Sequence, residues 1–355
     1  MIHARIAKRF APRPDSAGFS LEIELKAAAG VTVLFGPSGS GKTLTLECVA
    51  GFVRPDSGRI LLDDQILFDA GAGVHLPPRR RNCGYVFQNY ALFPHMTLRE
   101  NLMFAADRLP RLERHRRVAD MLERFHLTPV AGRRPHEVSG GQTQRCSIAR
   151  ALIAKPRLML LDEPARGLDA PLRADLYTVI RQVRASFNVP VLLVTHDLEE
   201  CFELGDEMLI LREGRIVQTG SPRKVLDQPA NVETARLLGI ENLLPAEITA
   251  LDPGRNTSCL RLAFGQLAGP YFPGRLLGDR VHLCVRSEQL RAVPGLRPQH
   301  NQVAARLLHA SEKPDGVRLE FEHGLVVAAP RDEYEQRKDN KEWLVEFPPH
   351  SLRVI

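Results

Sequence analysis

The stretch Gly36-Pro-Ser-Gly-Ser-Gly41-Lys42-Thr43 constrains this chain more than any other. It follows the apolar run Val31-Thr-Val-Leu-Phe35 and precedes Leu44-Thr-Leu-Glu-Cys-Val-Ala50, so it reads as strand, glycine-rich loop and helix in succession. That is the context in which GxxxxGK[ST] holds phosphate. The glycines let successive backbone N–H groups turn inward as an anion nest, and the new helix adds the partial positive charge of its N-terminus. Gly36, Pro37, Ser38, Gly39, Ser40, Gly41, Lys42 and Thr43 are therefore nucleotide-contact candidates. Lys42 would reach the β and γ phosphates, and the Thr43 hydroxyl would ligate Mg²⁺.

At 355 residues the chain exceeds the usual size of one domain, so two are expected. An excess of 48 Lys plus Arg over 42 Asp plus Glu is too mild to argue for nucleic acid. The six cysteines lie far apart with no CxxC pair, which reads as buried free thiols rather than a metal site or disulfide framework. No N-terminal stretch has the layout of a signal peptide, and no apolar run is long enough to span a bilayer.

Further chemistry sits where apolar runs end. Gln88 closes Cys83-Gly-Tyr-Val-Phe; its carbonyl could ligand Mg²⁺ and position the attacking water without altering the charge balance. The loop after it, Asn89 to His95, exposes large side chains and reads as a docking surface. The preceding triplet Arg79-Arg80-Arg81 reads as a solvated face, with a phosphate or partner contact as the alternative. Leu158-Met-Leu-Leu ends in Asp162 and Glu163; the first fits a partner of the Mg²⁺ waters and the second a general base. Two adjacent acids there repel unless a cation offsets them. Val191 to Thr195 delivers His196, whose imidazole could donate to the γ phosphate from the same carboxyl edge.

Between these stations the pattern turns helical. Thr97 and Glu100 form a capping-box pair, and Leu98, Leu102, Phe104 and Ala105 supply an apolar side. Ser139-Gly140-Gly141-Gln142 opens another helix, where a hydroxyl, free amides and a helix dipole suit a second phosphate contact. Phe10, ahead of the loop, is a candidate for stacking on adenine, a core or strand-edge role being the other reading. Beyond Gly239 short strand-like runs with Gly, Pro and Asp turns suggest a small β-barrel of the oligonucleotide- or oligosaccharide-fold type.

With these motifs in this order and spacing, the chain resembles the ATP-binding subunits of ABC transporters. The resemblance covers the first two-thirds and rests on the phosphate loop, Gln88, Ser139 to Gln142, Asp162-Glu163, Asp169 and His196. It implies an α/β nucleotide-binding domain with antiparallel β and helical subdomains over residues 1–239, the helical part about 97–150. An OB-like regulatory β domain over 240–355 would follow. It further implies ATP and Mg²⁺ as ligands and a head-to-tail homodimer, in which Ser139, Gly141 and Gln142 of one copy close over ATP held by the other. Two transmembrane permease subunits would be partners, with an extracytoplasmic solute-binding protein acting indirectly. The place of work would be peripheral, at the cytoplasmic face of the cell membrane.

Leu76-Pro-Pro-Arg79, Leu92-Phe-Pro-His-Met-Thr97 and Val285-Arg-Ser-Glu288 look like the importer branch with a C-terminal regulatory domain. Within it Arg236 to Leu244 looks most like the molybdate or tungstate subunit, with sulfate, ferric iron, polyamine or sugar import as the alternative. The β domain could sense imported solute or serve as a dimerisation platform. Three departures from the pattern stand out. Val138 replaces a leucine, Arg166-Gly167 replaces Ser-Ala, and no tyrosine occupies the adenine-stacking place.

Overall fold

The computed structural model describes residues 1–12, 18–187, 189–293 and 298–355. It divides into two compact units, Met1–Val225 and Leu226–Ile355. The division falls ahead of the Gly239 boundary suggested by the change in sequence texture. The helix Val232–Leu237 belongs with the second unit, where Ala235 packs with Ile240 and Cys284.

The first unit opens with β1 (Ile2–Phe10) and β2 (Phe19–Ala27), paired antiparallel. Their alternation puts Ile2, Ala4 and Ile6 opposite Ala27, Leu25 and Ile23 on one buried face. β3 (Val31–Phe35), α1 (Lys42–Ala50), β4 (Ser57–Leu62), β5 (Gln65–Asp69), β6 (Val74–His75) and β7 (Cys83–Val86) follow. Helices α2 (Leu98–Ala105), α3 (Arg111–Arg124) and α4 (Gly140–Leu152) form a helical insertion. The chain then returns through β8 (Leu158–Asp162), α5 (Ala170–Phe187), β9 (Val191–Thr195), α6 (Leu198–Leu204), β10 (Glu207–Arg212) and β11 (Arg215–Gly220).

Two sheets result. One is antiparallel in the order β2-β1-β4-β5-β6, and the other runs β11-β10-β3-β9-β8-β7 with all but β11 parallel. Strands buried on both faces read as continuous apolar runs, as β3, β8 and β9 do. Ile2, Leu21 and Ile60 from the first sheet, Leu34, Leu160 and Leu192 from the second, and Leu46 and Val49 from α1 share one core.

Two polar side chains fasten this scaffold. Arg81 is fully buried, and its Nη1 donates to the carbonyls of Cys48 and Val49, each at 2.8 Å. It thus satisfies carbonyls in the last turn of α1 that have no partner within the helix. The solvated-face reading of this arginine is corrected: a cation fits the negative end of a helix dipole. Asn101, also fully buried, ties the loop after Gln88 to α2 by accepting from Phe93 N at 2.8 Å and donating to Thr97 O at 3.0 Å. The Thr97/Glu100 capping box is present. Phe104 is a second correction: it lies outside the apolar side of α2, 54% exposed, with its ring 4.8 Å from that of Phe93.

The second unit is mostly strands: β12 (Asn242–Asp252), β13 (Thr257–Leu262), β14 (Gly265–Gly269), β15 (Arg280–Val285), β16 (Arg291–Val293), β17 (Gln302–Lys313), β18 (Gly316–Phe321), β19 (Val326–Ala329), β20 (Glu342–Glu346) and β21 (Arg353–Val354). They form two five-stranded antiparallel sheets over one core containing Leu260, Leu283, Leu319 and Val345.

Candidate nucleotide site

In the parallel sheet β3, β9, β8 and β7 are neighbours, with Phe35 beside Thr195 and Asp162 beside Val194. Their carboxyl ends therefore lie in a row. Each is followed at once by a candidate group: Gly36, His196, Glu163 and, two residues past β7, Gln88. Ligands of open α/β sheets bind outside this edge.

The loop is shaped for close backbone approach. Gly39 and Gly41 have φ of +78° and +104°, and a side chain at Gly36 would begin 2.1 Å from Leu211 O. α1 starts at Gly41 with no side-chain cap, so its first N–H groups are not taken by a neighbouring hydroxyl or carboxylate. Lys42, 4% exposed, donates from Nζ to Gly36 O at 2.7 Å and Pro37 O at 2.9 Å. Burial lowers its pKa, while Glu163 and Asp162 act in the opposite direction. Ser40 Oγ is buried with no hydrogen-bond partner.

Asp162 joins three elements. Thr43 Oγ1 donates to its Oδ1 at 3.0 Å and Tyr85 OH to its Oδ2 at 3.2 Å. Burial raises the Asp162 pKa, and these two donors oppose the rise. The Tyr85 ring is itself gripped by Phe52 and Phe87, at centroid distances of 5.3 and 4.3 Å. Sequence reasoning missed Tyr85, which looks like any strand aromatic. The signal was its place in β7 beside Leu160, two residues short of Asp162 on the next strand.

Glu163 takes a left-handed backbone, φ +45°, yet its N–H donates to Val194 O at 2.9 Å. A non-glycine residue there is strained unless its surroundings hold it. Its carboxylate is held on both sides, Oε2 by Arg166 Nη1 at 3.0 Å and Oε1 facing His196 Nδ1 at 3.4 Å. The Gln88 amide satisfies both of its atoms when its oxygen turns to Arg166. Loop-borne and strand-end candidates thus converge: Lys42, Thr43, Asp162, Glu163, His196 and Gln88.

The remaining candidates stand elsewhere in their local contacts. Ser139 caps α4 with a complete box: Gln142 N donates to Ser139 Oγ at 3.3 Å, and Ser139 N to Gln142 Oε1 at 3.1 Å. Among the described residues, no hydrogen bond or ion pair joins Ser139, Gly140, Gly141 or Gln142 to the phosphate loop. Asp169 Oδ1 accepts from Leu172 N at 3.0 Å at the start of α5. Phe10 is 44% exposed and is the cross-strand partner of Phe19, whose ring lies against Gly41. Directly opposed residues share a face, so Phe10 flanks that aromatic at the loop end of the hairpin. Glu200, in the first turn of α6, is 2% exposed with Oε1 unpartnered, and burial pushes its pKa up to about 7.

Known proteins match on both sequence and fold. The family model described as "ABC transporter" matches residues 20–166. The molybdenum import ATP-binding protein of Rhodospirillum rubrum is 36% identical over 300 residues, 83% of this chain and 80% of that protein. The spermidine/putrescine import ATP-binding protein of Nitratidesulfovibrio vulgaris is 40% identical over 279 residues, 77% of this chain and 72% of that one. Among solved structures, the dimeric ATP-binding cassette MJ0796 in a post-hydrolysis state with ADP and Pi aligns at a TM-score of 0.54 and 25% identity. It covers 63% of this chain and 99% of its own. The chain belongs to the ABC transporter family, as an ATP-hydrolysing nucleotide-binding subunit of the importer type.

Proposed function

We propose that hydrolysis is carried out by the residues gathered at the carboxyl edge of β3, β9, β8 and β7, and that this convergence carries the reading. Gly36 to Gly41 and the start of α1 cradle the phosphates, with Lys42 leaving its two loop carbonyls to take phosphate oxygens. The fold implies Mg²⁺, and the residues present fit it. Thr43 and Asp162 are already paired, and Ser40 Oγ is a buried hydroxyl lacking a partner. Among the described residues there is no cage of three or more His, Cys, Asp or Glu. Mg²⁺ needs no such cage, being held through one or two carboxylates together with substrate phosphates. Thr43, Gln88 and Asp162 would hold it; when bound it neutralises charge on the phosphate oxygens.

Glu163 takes the proton of the attacking water on a carboxylate oxygen, held in aim by His196. His196 Nε2 then faces the γ phosphate as donor. Phe10 stacks on adenine beside Phe19. Ser139, Gly140, Gly141 and Gln142, with Asp169, act on the nucleotide of a second copy in a head-to-tail homodimer; the dimeric state of MJ0796 supports this.

No helix among the described residues is long and apolar enough to cross a membrane. Attachment at the cytoplasmic face would come from two permease subunits, which the importer relatives support, with a solute-binding protein outside. The second unit acts as a regulatory β domain. The molybdate or tungstate reading gains no preference, because relatives named for molybdenum and for spermidine/putrescine match comparably. The solute class is set by the permease and binding protein.

Glu163→Gln tests the chemical assignment. Steady-state hydrolysis should fall by at least about 100-fold, the contribution of a positioned base, with ATP binding retained. Hydrolysis near that of the unmodified protein would refute the base. Co-purification with an integral membrane protein tests the transporter role.

A further inference from the structure

We infer that Arg166 is an internal counter-ion: one guanidinium holds the Glu163 carboxylate and the Gln88 amide oxygen together, and must release both before Mg·ATP is fully engaged. This rests on the reading of Gln88 as a Mg²⁺ ligand.

Arg166 closes a turn in which its N–H donates to Glu163 O at 3.1 Å, and this brings its side chain back over Glu163. Nη1 donates to Glu163 Oε2 at 3.0 Å. With the Gln88 amide turned so that its oxygen faces the guanidinium, the orientation that satisfies both amide atoms, Nε donates to that oxygen at 3.1 Å, joined there by Nη1. One positive fork thus bridges the segments that leave β7 and β8.

Gln88 has a single side-chain atom able to ligate a cation, and it is this oxygen. A guanidinium donating to it points its positive charge into the space a divalent ion would take, and two cations on one amide oxygen repel. The adjacent acids Asp162 and Glu163 need compensating charge; Lys42, although hydrogen-bonded to the carbonyls of Gly36 and Pro37, acts on both, and Arg166 adds a second cation directly on Glu163.

The contact is also able to open. The Arg166 side chain is 58% exposed although Glu163 is only 12% exposed, so water can take over the donors of the guanidinium when it leaves. Gly167 follows with φ +76° and open space where a side chain would begin, so the turn has room to carry the arginine away.

The test is equilibrium binding of a fluorescent non-hydrolysable ATP analogue to the full chain, with Mg²⁺ or with EDTA. Arg166→Ala should bind about fivefold tighter with Mg²⁺, the upper end of what a surface ion pair contributes, and unchanged in EDTA. Arg166→Lys, which keeps the charge without the fork, should fall between. Equal or weaker Mg²⁺-dependent binding in Arg166→Ala overturns the proposal. Weaker binding in both conditions also overturns it, by making Arg166 a nucleotide contact. Gln88→Ala separates the two readings. An unchanged Mg²⁺ dependence removes Gln88 as a ligand and the latch with it; a weakened one without any effect of Arg166→Ala removes the latch alone.

Discussion

Two helices of the first unit carry glycine where they start, Gly41 as the N-cap of α1 and Gly140 as the first residue of α4, and they are built in opposite ways. α1 starts at Gly41 without a side-chain cap, whereas α4 starts at Ser139 with both halves of a capping box formed. An N-terminus leaves N–H groups that something must satisfy. In α1 no side chain caps them, so a phosphate bound to the same chain can complete them. In α4 the chain meets part of this need itself: Gln142 N donates to Ser139 Oγ, and the Gln142 side chain accepts from Ser139 N. The proposed shared site would set the uncapped start of one copy against the capped start of the other.

A third helix start at the same edge sharpens the contrast. Asp197 caps α6, accepting from Glu199 N at 2.8 Å, and Glu200 lies buried one residue further on. Its pKa rises from an ordinary 4.5 to about 7, mainly through burial. An unfolded chain ionises this carboxyl from about pH 4.5 upward, while the folded one resists until about 7, so stability falls as pH rises through that window and the penalty is complete above it. The size is roughly 3 kcal/mol. Glu200→Gln should flatten the urea midpoint between pH 5 and pH 8 and be the more stable protein at pH 8. A slope as steep as before would place the titration elsewhere.

The two glycines themselves come next. Gly41→Ala puts Cβ on a residue with φ +104°, 2.8 Å from Leu21 Cδ1, and should cost about 1–3 kcal/mol. Gly140→Ala meets nothing nearer than Leu168 Cδ2 at 4.0 Å and should change stability by about 1 kcal/mol or less, on the stabilising side. Denaturant melts of the pair settle it; equal costs would erase the difference between the two starts.

Much of the site was legible because its groups hang on the ends of doubly buried strands. Val31–Phe35, Leu158–Asp162 and Val191–Thr195 are apolar runs that stop abruptly at Gly36, Glu163 and His196. What stayed hidden depends on partners distant in sequence. Arg81 looks like the third of a solvated triplet until α1 ends beside it. Tyr85 and Arg166 acquire meaning only when β7 and β8 lie side by side. The β unit shows the same limit: Gly265–Gly269, Arg291–Val293 and Arg353–Val354 are too short or too glycine-rich to announce themselves, and pairing alone makes them strands.

Complementation between two inactive variants tests most directly whether the two helix starts form one site. Lys42→Ala disables the phosphate loop, and Gly140→Glu sets a negative charge at α4, where the open space around Gly140 accommodates it on its own chain. In a head-to-tail dimer of one copy of each, one site carries both defects and the other none. Mixing equal amounts should restore about a quarter of the unmodified hydrolysis rate, since half of the two-fold dimers are mixed and each has one intact site. Activity that stays at the level of the separate variants would contradict a site shared between copies.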